Sequence, residues 1–423
     1  EKCNGNGIYD PLLQKCNCYE CYSGEYCTVD VSYSVEACSA VDVTAGDPKL
    51  FENYWLTDGP SKAALMEISP VWGMSYSGKD VEALVQEDIR ALHKLVGNIQ
   101  IRESDFIIVG SGSTHLLSAI LYAAATIIAE TAPDTAAPNV YAEIPYYNAY
   151  SDIATYHNSK LLGEFNPETS PGVNDSAIEI VTAPNNPTGE NREPLYDNSF
   201  VLYDRAYNWP HFMPMDSTPV QVGDSEVTLY TLSKMSGHAG SRIGWAVVKD
   251  EVLAKAIQKY IAISVVSIPH EPLWRAHAVL DHIVTSEGEI FGYAKDILEY
   301  RWGIMKYIFE KENKDNRFDY SPEYSSENAE LCDFFGTEQT PTKAYVWIKC
   351  NNEADQLYTS TTDSSRVGCD GVFLDAGING RGGRVYGMSD DSYIRLELLM
   401  NDRTFELLHQ RLNDLFFNIG PSR

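Results

Sequence analysis

At 423 residues and 44% hydrophobic content, the chain is long enough for two or three domains and a large buried core. Its 60 acidic against 32 basic residues give a formal net charge of −28, which argues against nucleic acid and against anionic membrane surfaces as partners. An anionic small molecule would have to be drawn in by local arginines against that field, so the few well-placed ones carry weight.

Six of the nine cysteines, Cys3, Cys16, Cys18, Cys21, Cys27 and Cys38, crowd the start of the chain with no histidine among them. Such crowding predicts a disulfide-stapled module, a zinc site being the competing reading of the Cys-x-Cys-x-x-Cys run. Disulfides imply a secretory route, with which the glycosylation triplet Asn174-Asp175-Ser176 agrees, and the chain then reads as a mature or trimmed product. Gly46-Asp47-Pro48 breaks the chain, and strands alternating with helices run to about residue 270, the pattern of a mostly parallel sheet. Asp105–Val109 is a strand pattern entering Gly110-Ser111-Gly112-Ser113-Thr114-His115, a glycine turn and helix start whose amides attract anions. The turn does not match the dinucleotide fingerprint. The apolar helix expected from Leu116 to Ala129, about fourteen residues, is read as a core helix too short to cross a bilayer. Glu143-Ile144-Pro145-Tyr146-Tyr147-Asn148 follows another short strand; Tyr147 is the residue expected to stack on a planar ligand, with Tyr146 as core packing. The run Ile178–Thr182 then enters Ala183-Pro184-Asn185-Asn186-Pro187-Thr188-Gly189, a tight turn at the carboxyl edge of the sheet where α/β sites gather. Asn186 would face the ligand, or the segment is an ordinary turn. A second buried-strand pattern, Ser199 to Asp204, ends in a carboxylate with the phenol of Tyr207 three residues on. The alternatives for Asp204 are a helix cap or a surface ion pair.

Lys234 sits in the hydroxyl- and glycine-rich stretch Thr231 to Arg242, whose arginine lies eight residues beyond the lysine. A lysine-bound phosphorylated aldehyde asks for an amine that forms a Schiff base, and for hydroxyls plus a guanidinium beside it; Lys234, Thr231, Ser233 and Arg242 supply them. The cofactor this describes is pyridoxal 5′-phosphate, PLP. Asp204 would keep its pyridine nitrogen protonated, and Asn186 and Tyr207 would hydrogen-bond its phenolic oxygen. Gly112, Ser113 and Thr114 would add backbone donors to the phosphate. Ile268 to Pro272 punctuates the chain before helices that reach about residue 313. A smaller α+β domain then closes it, with strand patterns at Ala344–Ile348 and Tyr393–Leu398. Arg395, in the second pattern, should face inward, where a guanidinium wants a carboxylate: a substrate's or, in a structural salt bridge, a neighbouring acid's. Arg381-Gly382-Gly383-Arg384 reads as a mobile loop near the active site.

The order of these segments resembles the fold-type I PLP enzymes and, within them, the alliinases, the cysteine sulfoxide lyases, over nearly the whole chain. Val71-Trp72-Gly73-Met74-Ser75-Tyr76, Tyr203-Asp204, Asn208-Trp209-Pro210-His211, Ser233-Lys234, Gly237-His238, Gly240-Ser241-Arg242 and Gly244-Trp245-Ala246 carry the resemblance. It implies an α/β, aspartate aminotransferase-like large domain with a mainly parallel sheet at 49–290. A smaller α+β domain at 291–423 and an EGF-like module at 1–48 complete the expectation. It also implies the pairings Cys3–Cys16, Cys18–Cys27 and Cys21–Cys38, substrate contacts from Arg395, Gly46 and Tyr147, and a homodimer in which Tyr76 reaches the partner's cofactor. A core tyrosine is the alternative for Tyr76. No metal is expected, and the compartment implied is the vacuole or the extracellular space.

The activity implied is α,β-elimination from S-substituted L-cysteine sulfoxides, giving a sulfenic acid, pyruvate and ammonia, with Lys234 as base and Asp204 and Tyr207 on the cofactor. An aminotransferase of the tryptophan aminotransferase-related group shares the same cofactor residues, and a secreted binding protein with an inactive catalytic fold is the third class. Three departures from the family bear on the substrate: Ala45 stands where alliinases carry a serine, and Arg205 where they tend to an apolar residue, free to contact a polar substrate group or to lie at the surface. The family's late disulfide looks absent, because Cys350 has Tyr358 where its partner would fall, and Cys332, Cys350 and Cys369 leave an odd thiol.

Overall fold

A computed structural model describes residues 2–10, 13–19, 21–30, 40–57, 71, 73–132, 134, 136–157, 162–167, 177–196, 200–215, 219–312, 317–321 and 342–417. Trp72, Cys38, Cys332 and the Asn174 triplet lie outside them. The chain groups into two compact units, one of Glu1–Gly46, Glu299–Tyr324 and Tyr345–Arg423, the other of Asp47–Leu298 with Ser325–Ala344.

The first unit opens with two short hairpins, β1 (Gly7–Asp10) with β2 (Lys15–Cys18) and β3 (Tyr22–Ser23) with β4 (Val29–Asp30), then β5 (Val41–Asp42). Disulfides join Cys3 to Cys16 and Cys18 to Cys27, making a small disulfide-rich module; Cys21 is also disulfide-bonded. So small a segment has little core of its own, and cross-links supply what burial cannot.

The larger unit holds α1 (Glu52–Trp55), α2 (Lys79–Val96), β6 (Phe106–Gly110), α3 (Ser113–Thr131), β7 (Asn139–Tyr141), α4 (Ala149–His157), β8 (Ala177–Thr182), β9 (Phe200–Asp204), β10 (Glu226–Thr231), α5 (Leu232–Ser236), β11 (Gly244–Val248), α6 (Glu251–Ser264) and α7 (His270–Thr285). Its six-stranded sheet runs β6-β11-β10-β9-β8-β7, with the pairs from β7 to β10 parallel and β11 antiparallel to both neighbours. All six residues of β8 are buried, as expected where helices cover both faces of a parallel sheet. Capping sets the helix ends: Asp250 accepts the Leu253 amide at 2.7 Å to start α6, and Gly97, at φ 75°, closes α2. Helix α3 is longer than its apolar run suggests, at 19 residues, because Ser113 to His115 join at its front and Glu130 and Thr131 at its end; it is apolar and long enough to cross a membrane by length and composition. Eight of its residues from Leu116 to Ala125 are buried, and it packs on α6, α4 and β10, the packing of a core helix. Pro272, read as punctuation, falls in the first turn of α7, where its missing N–H costs nothing.

The chain continues through α8 (Glu289–Tyr307) into the first unit's β12 (Phe318–Ser321), β13 (Tyr345–Cys350), α9 (Glu353–Gln356), α10 (Gly368–Asp375), β14 (Ile378–Asn379), β15 (Arg381–Gly382), β16 (Tyr393–Glu397) and α11 (Asp402–Phe417). An antiparallel sheet β12-β13-β16-β15 forms there, and β14 pairs in parallel with β5. Two expectations are corrected here. Cys350 and Cys369 form a disulfide between β13 and α10; the partner comes from the second helix after β13, 19 residues on, while Tyr358 donates to Asp375 at 2.8 Å. Arg381-Gly382 is a strand on β16 followed by a turn in which Arg384 pairs with Asp391, and the glycines make room for the Asp370 and Tyr393 side chains rather than marking a loose loop.

Candidate active site

Strand register gathers the chemistry at one edge of the larger unit's sheet. Thr182 is opposite Asp204, Thr231 opposite Gly244 and Gly244 opposite Gly110, so β8, β9, β10 and β6 end side by side where β11 begins. Alternation along β9 separates two neighbours: Asp204 faces one side of the sheet, while Arg205 follows Tyr203 to the other. Arg205 is 8% exposed, with its guanidinium 5.1 Å from the Tyr203 ring centroid, so it neither lies at the surface nor shares a face with Asp204.

Asp204 is buried, and each of its oxygens has a donor: the Tyr150 hydroxyl at 2.8 Å on Oδ2 and the Ala206 amide at 3.1 Å on Oδ1. Burial pushes its carboxyl up, while those two donors and the Lys234 ammonium pull against it. Lys234 stands in α5, a single short helix started by Thr231, whose Oγ1 accepts the Ser233 amide at 3.2 Å and lies 3.0 Å from the Ser233 hydroxyl. The Lys234 Nζ is 5.8 Å from the ring centroid of the buried Tyr207. The helix is held at its far end by the Trp55 indole, donating to Ser236 O at 2.8 Å, and by Gly237, where a Cβ would meet Pro48 O at 2.9 Å.

Gly112 has φ 81° and ψ 163°, a conformation open to glycine, and a Cβ there would collide with the Arg242 guanidinium, 2.9 Å from its Cζ. Arg242 is itself left-handed at φ 52° and donates to Ala239 O at 3.0 Å. The amides of Ser113 and Thr114 open α3 and, like those of any first helical turn, have no acceptor within the helix. A guanidinium and a helix N-terminus thus share one spot, a seat for a dianion.

Two turns lie beside this edge. Asn185 is fully buried and donates through Nδ2 to Pro145 O at 3.0 Å and Thr188 Oγ1 at 2.9 Å; Asn186, next along, is also buried. Arg192 donates to Glu143 O at 2.7 Å, Pro145 O at 3.0 Å and Ile144 O at 3.4 Å, fixing the backbone just before the aromatic pair. Tyr146 is buried against Phe165, and Tyr147 lies edge-on to Tyr150, centroids 5.6 Å apart. Tyr76 is 81% exposed in this chain, which removes the core-tyrosine reading.

Arg395 and Gly46 belong to the first unit. Arg395 is buried on β16, its guanidinium 4.7 Å from the Tyr345 ring centroid, and it donates to Thr44 O, two residues before Gly46, which takes φ 70°. Sequence reasoning missed Tyr150, Thr182, Asn185 and Arg192. Strand alternation could have placed Thr182 level with Asp204; nothing local marks the other three.

An amine on a short rigid helix, a buried carboxylate, a phenol and an anion seat are the donor set that PLP requires. Among solved structures the chain resembles substrate-bound BacF of Bacillus subtilis, at TM-score 0.64 and 16% identity over 91% of this chain and 92% of that one. It also resembles YbdL of Escherichia coli, whose structure is reported with a methionine aminotransferase function, at TM-score 0.60 and 15% identity over 90% and 96%. The fold is therefore that of the fold-type I, aspartate aminotransferase-like enzymes, and the relatives of this chain use PLP. The allinase family model matches residues 41–416, and the chain belongs to that family. Curated relatives include tryptophan aminotransferase-related protein 4 of Arabidopsis thaliana, 32% identical over 98% of this chain and 85% of that protein. Alliin lyase 1 of Allium sativum is 29% identical over 97% and 81%.

Proposed function

We propose that this PLP-dependent enzyme is a carbon–sulfur lyase that splits S-substituted L-cysteine sulfoxides and water into a sulfenic acid, pyruvate and ammonia. The observation that carries the reading is the likeness to alliin lyase over 97% of the chain, a span that takes in part of the disulfide module as well as the catalytic unit. Tryptophan aminotransferase-related protein 2 of Arabidopsis thaliana matches over 89% of the chain and the related protein 4 over 98%, so the extent of the match does not by itself separate the two activities. A second reading, an aminotransferase, is favoured by the 32% identity to the related protein 4, and both use the same donors.

When bound, PLP supplies an electron sink for the bond-breaking at the substrate Cα. The residues do the rest. Lys234 would hold the cofactor and, once a substrate amine has displaced it, its freed amine would take the Cα proton; Asp204 would keep a proton on the ring nitrogen, Asn186 and Tyr207 would hydrogen-bond the phenolic oxygen, and Tyr147 would stack on the ring. Gly112, Ser113, Thr114, Thr231, Ser233 and Arg242 hold the phosphate, joined by Tyr76 from the second copy of a homodimer. Arg395 would take the substrate carboxylate beside Gly46, and Ala45 lacks the hydroxyl that the alliinases' serine would offer at that position. We place the enzyme in the secretory pathway, in the vacuole or outside the cell.

A panel of S-alkyl, S-alkenyl and S-aryl cysteines, with and without oxidised sulfur, tests this. Pyruvate released without any keto acid marks the lyase; strict dependence on a keto-acid acceptor marks the aminotransferase and ends the lyase proposal. Lys234→Ala should abolish the visible absorbance of the PLP-loaded protein along with turnover.

A further inference from the structure

We propose that Tyr150, backed by Thr182, is a positioning residue that keeps the Asp204 carboxylate ionised and in one orientation, and so governs whether a ring nitrogen facing it stays protonated. The inference rests on the reading of Asp204 as the partner of the PLP ring.

Tyr150 lies near the start of α4 with no exposed surface, and its hydroxyl meets two groups: Asp204 Oδ2 at 2.8 Å, to which it donates, and Thr182 Oγ1 at 2.7 Å. A phenol has one proton. With that proton on Asp204, the Thr182 contact has the threonine donating, so the hydrogen bonds run one way, Thr182 to Tyr150 to Asp204. Thr182 can take part because it is the register partner of Asp204 on the adjoining strand and its side chain leaves the same face. The Ala206 amide occupies the other oxygen at 3.1 Å, so the two donors together fix the plane of the carboxylate. A carboxylate has about four lone-pair sites, so the two donors named leave acceptor capacity for a ligand.

The direction of donation decides the effect. A hydroxyl that donates to a carboxylate stabilises the charged form, against the burial that disfavours it. The titratable groups that act on Asp204 are Tyr150 from α4 and Lys234 from α5, and Tyr147 acts in turn on Tyr150. Lys234 is committed to the chemistry, which leaves Tyr150 as the fixed donor.

The test compares wild type, Tyr150→Phe, Thr182→Val and Asp204→Asn, each loaded with PLP or with its analogue carrying C–H in place of the ring nitrogen. Dissociation constants and the pH dependence of visible absorbance are read alongside kcat and KM. In Tyr150→Phe the acid limb of kcat and the absorbance midpoint should move up by about one to two pH units, the worth of a hydrogen bond to a charged group, with KM within about twofold of wild type. Thr182→Val, which needs no change at the tyrosine, should move them the same way by less. With the nitrogen-free analogue the difference between wild type and Tyr150→Phe should vanish. Unmoved midpoints in both variants, whatever their melting temperatures, would reduce Tyr150 to packing and overturn the proposal, as would a Tyr150→Phe defect that persists with the analogue. A wild type that takes up no PLP would overturn the cofactor reading and this inference with it.

Discussion

Gly112 shows how little a single position leaves to choice. Its backbone lies where L-residues pay about 1–3 kcal/mol, and the space a methyl would need is filled by Arg242. Gly112→Ala should therefore displace the guanidinium, weaken PLP binding at least tenfold in an absorbance titration and lower the melting temperature of the unloaded protein only modestly. Unchanged PLP affinity would remove Gly112 and Arg242 from the anion seat. Residues such as Lys234, Asp204 and Gly112 could be nominated from the sequence because the chemistry proposed restricts residue type: an amine, an acid, a side chain with no Cβ. Tyr150 and Arg192 were not, because a tyrosine in a helix reads as core and an arginine in a turn reads as surface. Their contacts, to Asp204 and to the 143–145 carbonyls, cross about fifty residues of chain.

Elements were legible where burial is continuous. The apolar runs of β8 and β9 announced strands, and the glycine turn announced the start of α3. Composition misled where glycine or proline had a structural use, as at Pro272 in the first turn of α7 and Gly382 on β15. The loop after α9 carried no signal in the sequence, since its organiser is a carboxylate on the following helix, α10. Asp375 accepts from the Tyr358 and Ser360 hydroxyls, from the Thr361 amide and hydroxyl and from the Thr362 amide, at distances of 2.6–3.0 Å. Burial pushes its carboxyl up, but the Ser360, Thr361 and Thr362 donors outweigh that and hold it well below the usual carboxylate range. A depressed folded value contributes stability that is full above the unfolded value of about 3.9 and is lost as pH falls below it. Asp375→Asn should cost about 2 kcal/mol at pH 7 by urea unfolding, and the deficit should shrink as the pH is taken from 5 towards 3. A deficit constant over that interval would show that the charge does not organise the loop.

For the molecule as a whole, acid also acts through buried histidines that resist protonation while folded. Burial lowers His93 to about 4, His211 to about 3 and His238 to about 4 from an ordinary 6.5. His93 is held neutral by geometry too: its Nε2 accepts the Trp245 indole at 2.9 Å while Nδ1 donates to Asn98 at 2.8 Å. Because the unfolded chain takes these protons first, stability is full above about 6.5 and falls as pH drops towards 4, by about 3 kcal/mol for His93 alone. The melting temperature should decline across that window, and His93→Gln should flatten the decline by about one proton. An unaltered slope would place the acid sensitivity elsewhere.

Whole-chain organisation was the least legible level, since it depends on pairings with no local signature. Val41–Asp42 adds in parallel to Ile378–Asn379, and the Asn379 amide reaches Asp42 across a separation of 337 residues. On a ribosome, that early strand therefore emerges long before its mate exists. At roughly 5–20 residues per second it waits on the order of half a minute, while Asp47–Leu298 is delivered complete in between. The cysteine cross-links can close during that delay; the sheet edge beside them can be satisfied only once synthesis is nearly done. Nascent chains halted before Ile378 should thus present β5 to chaperones as an unmatched edge, however well Lys234 is already housed.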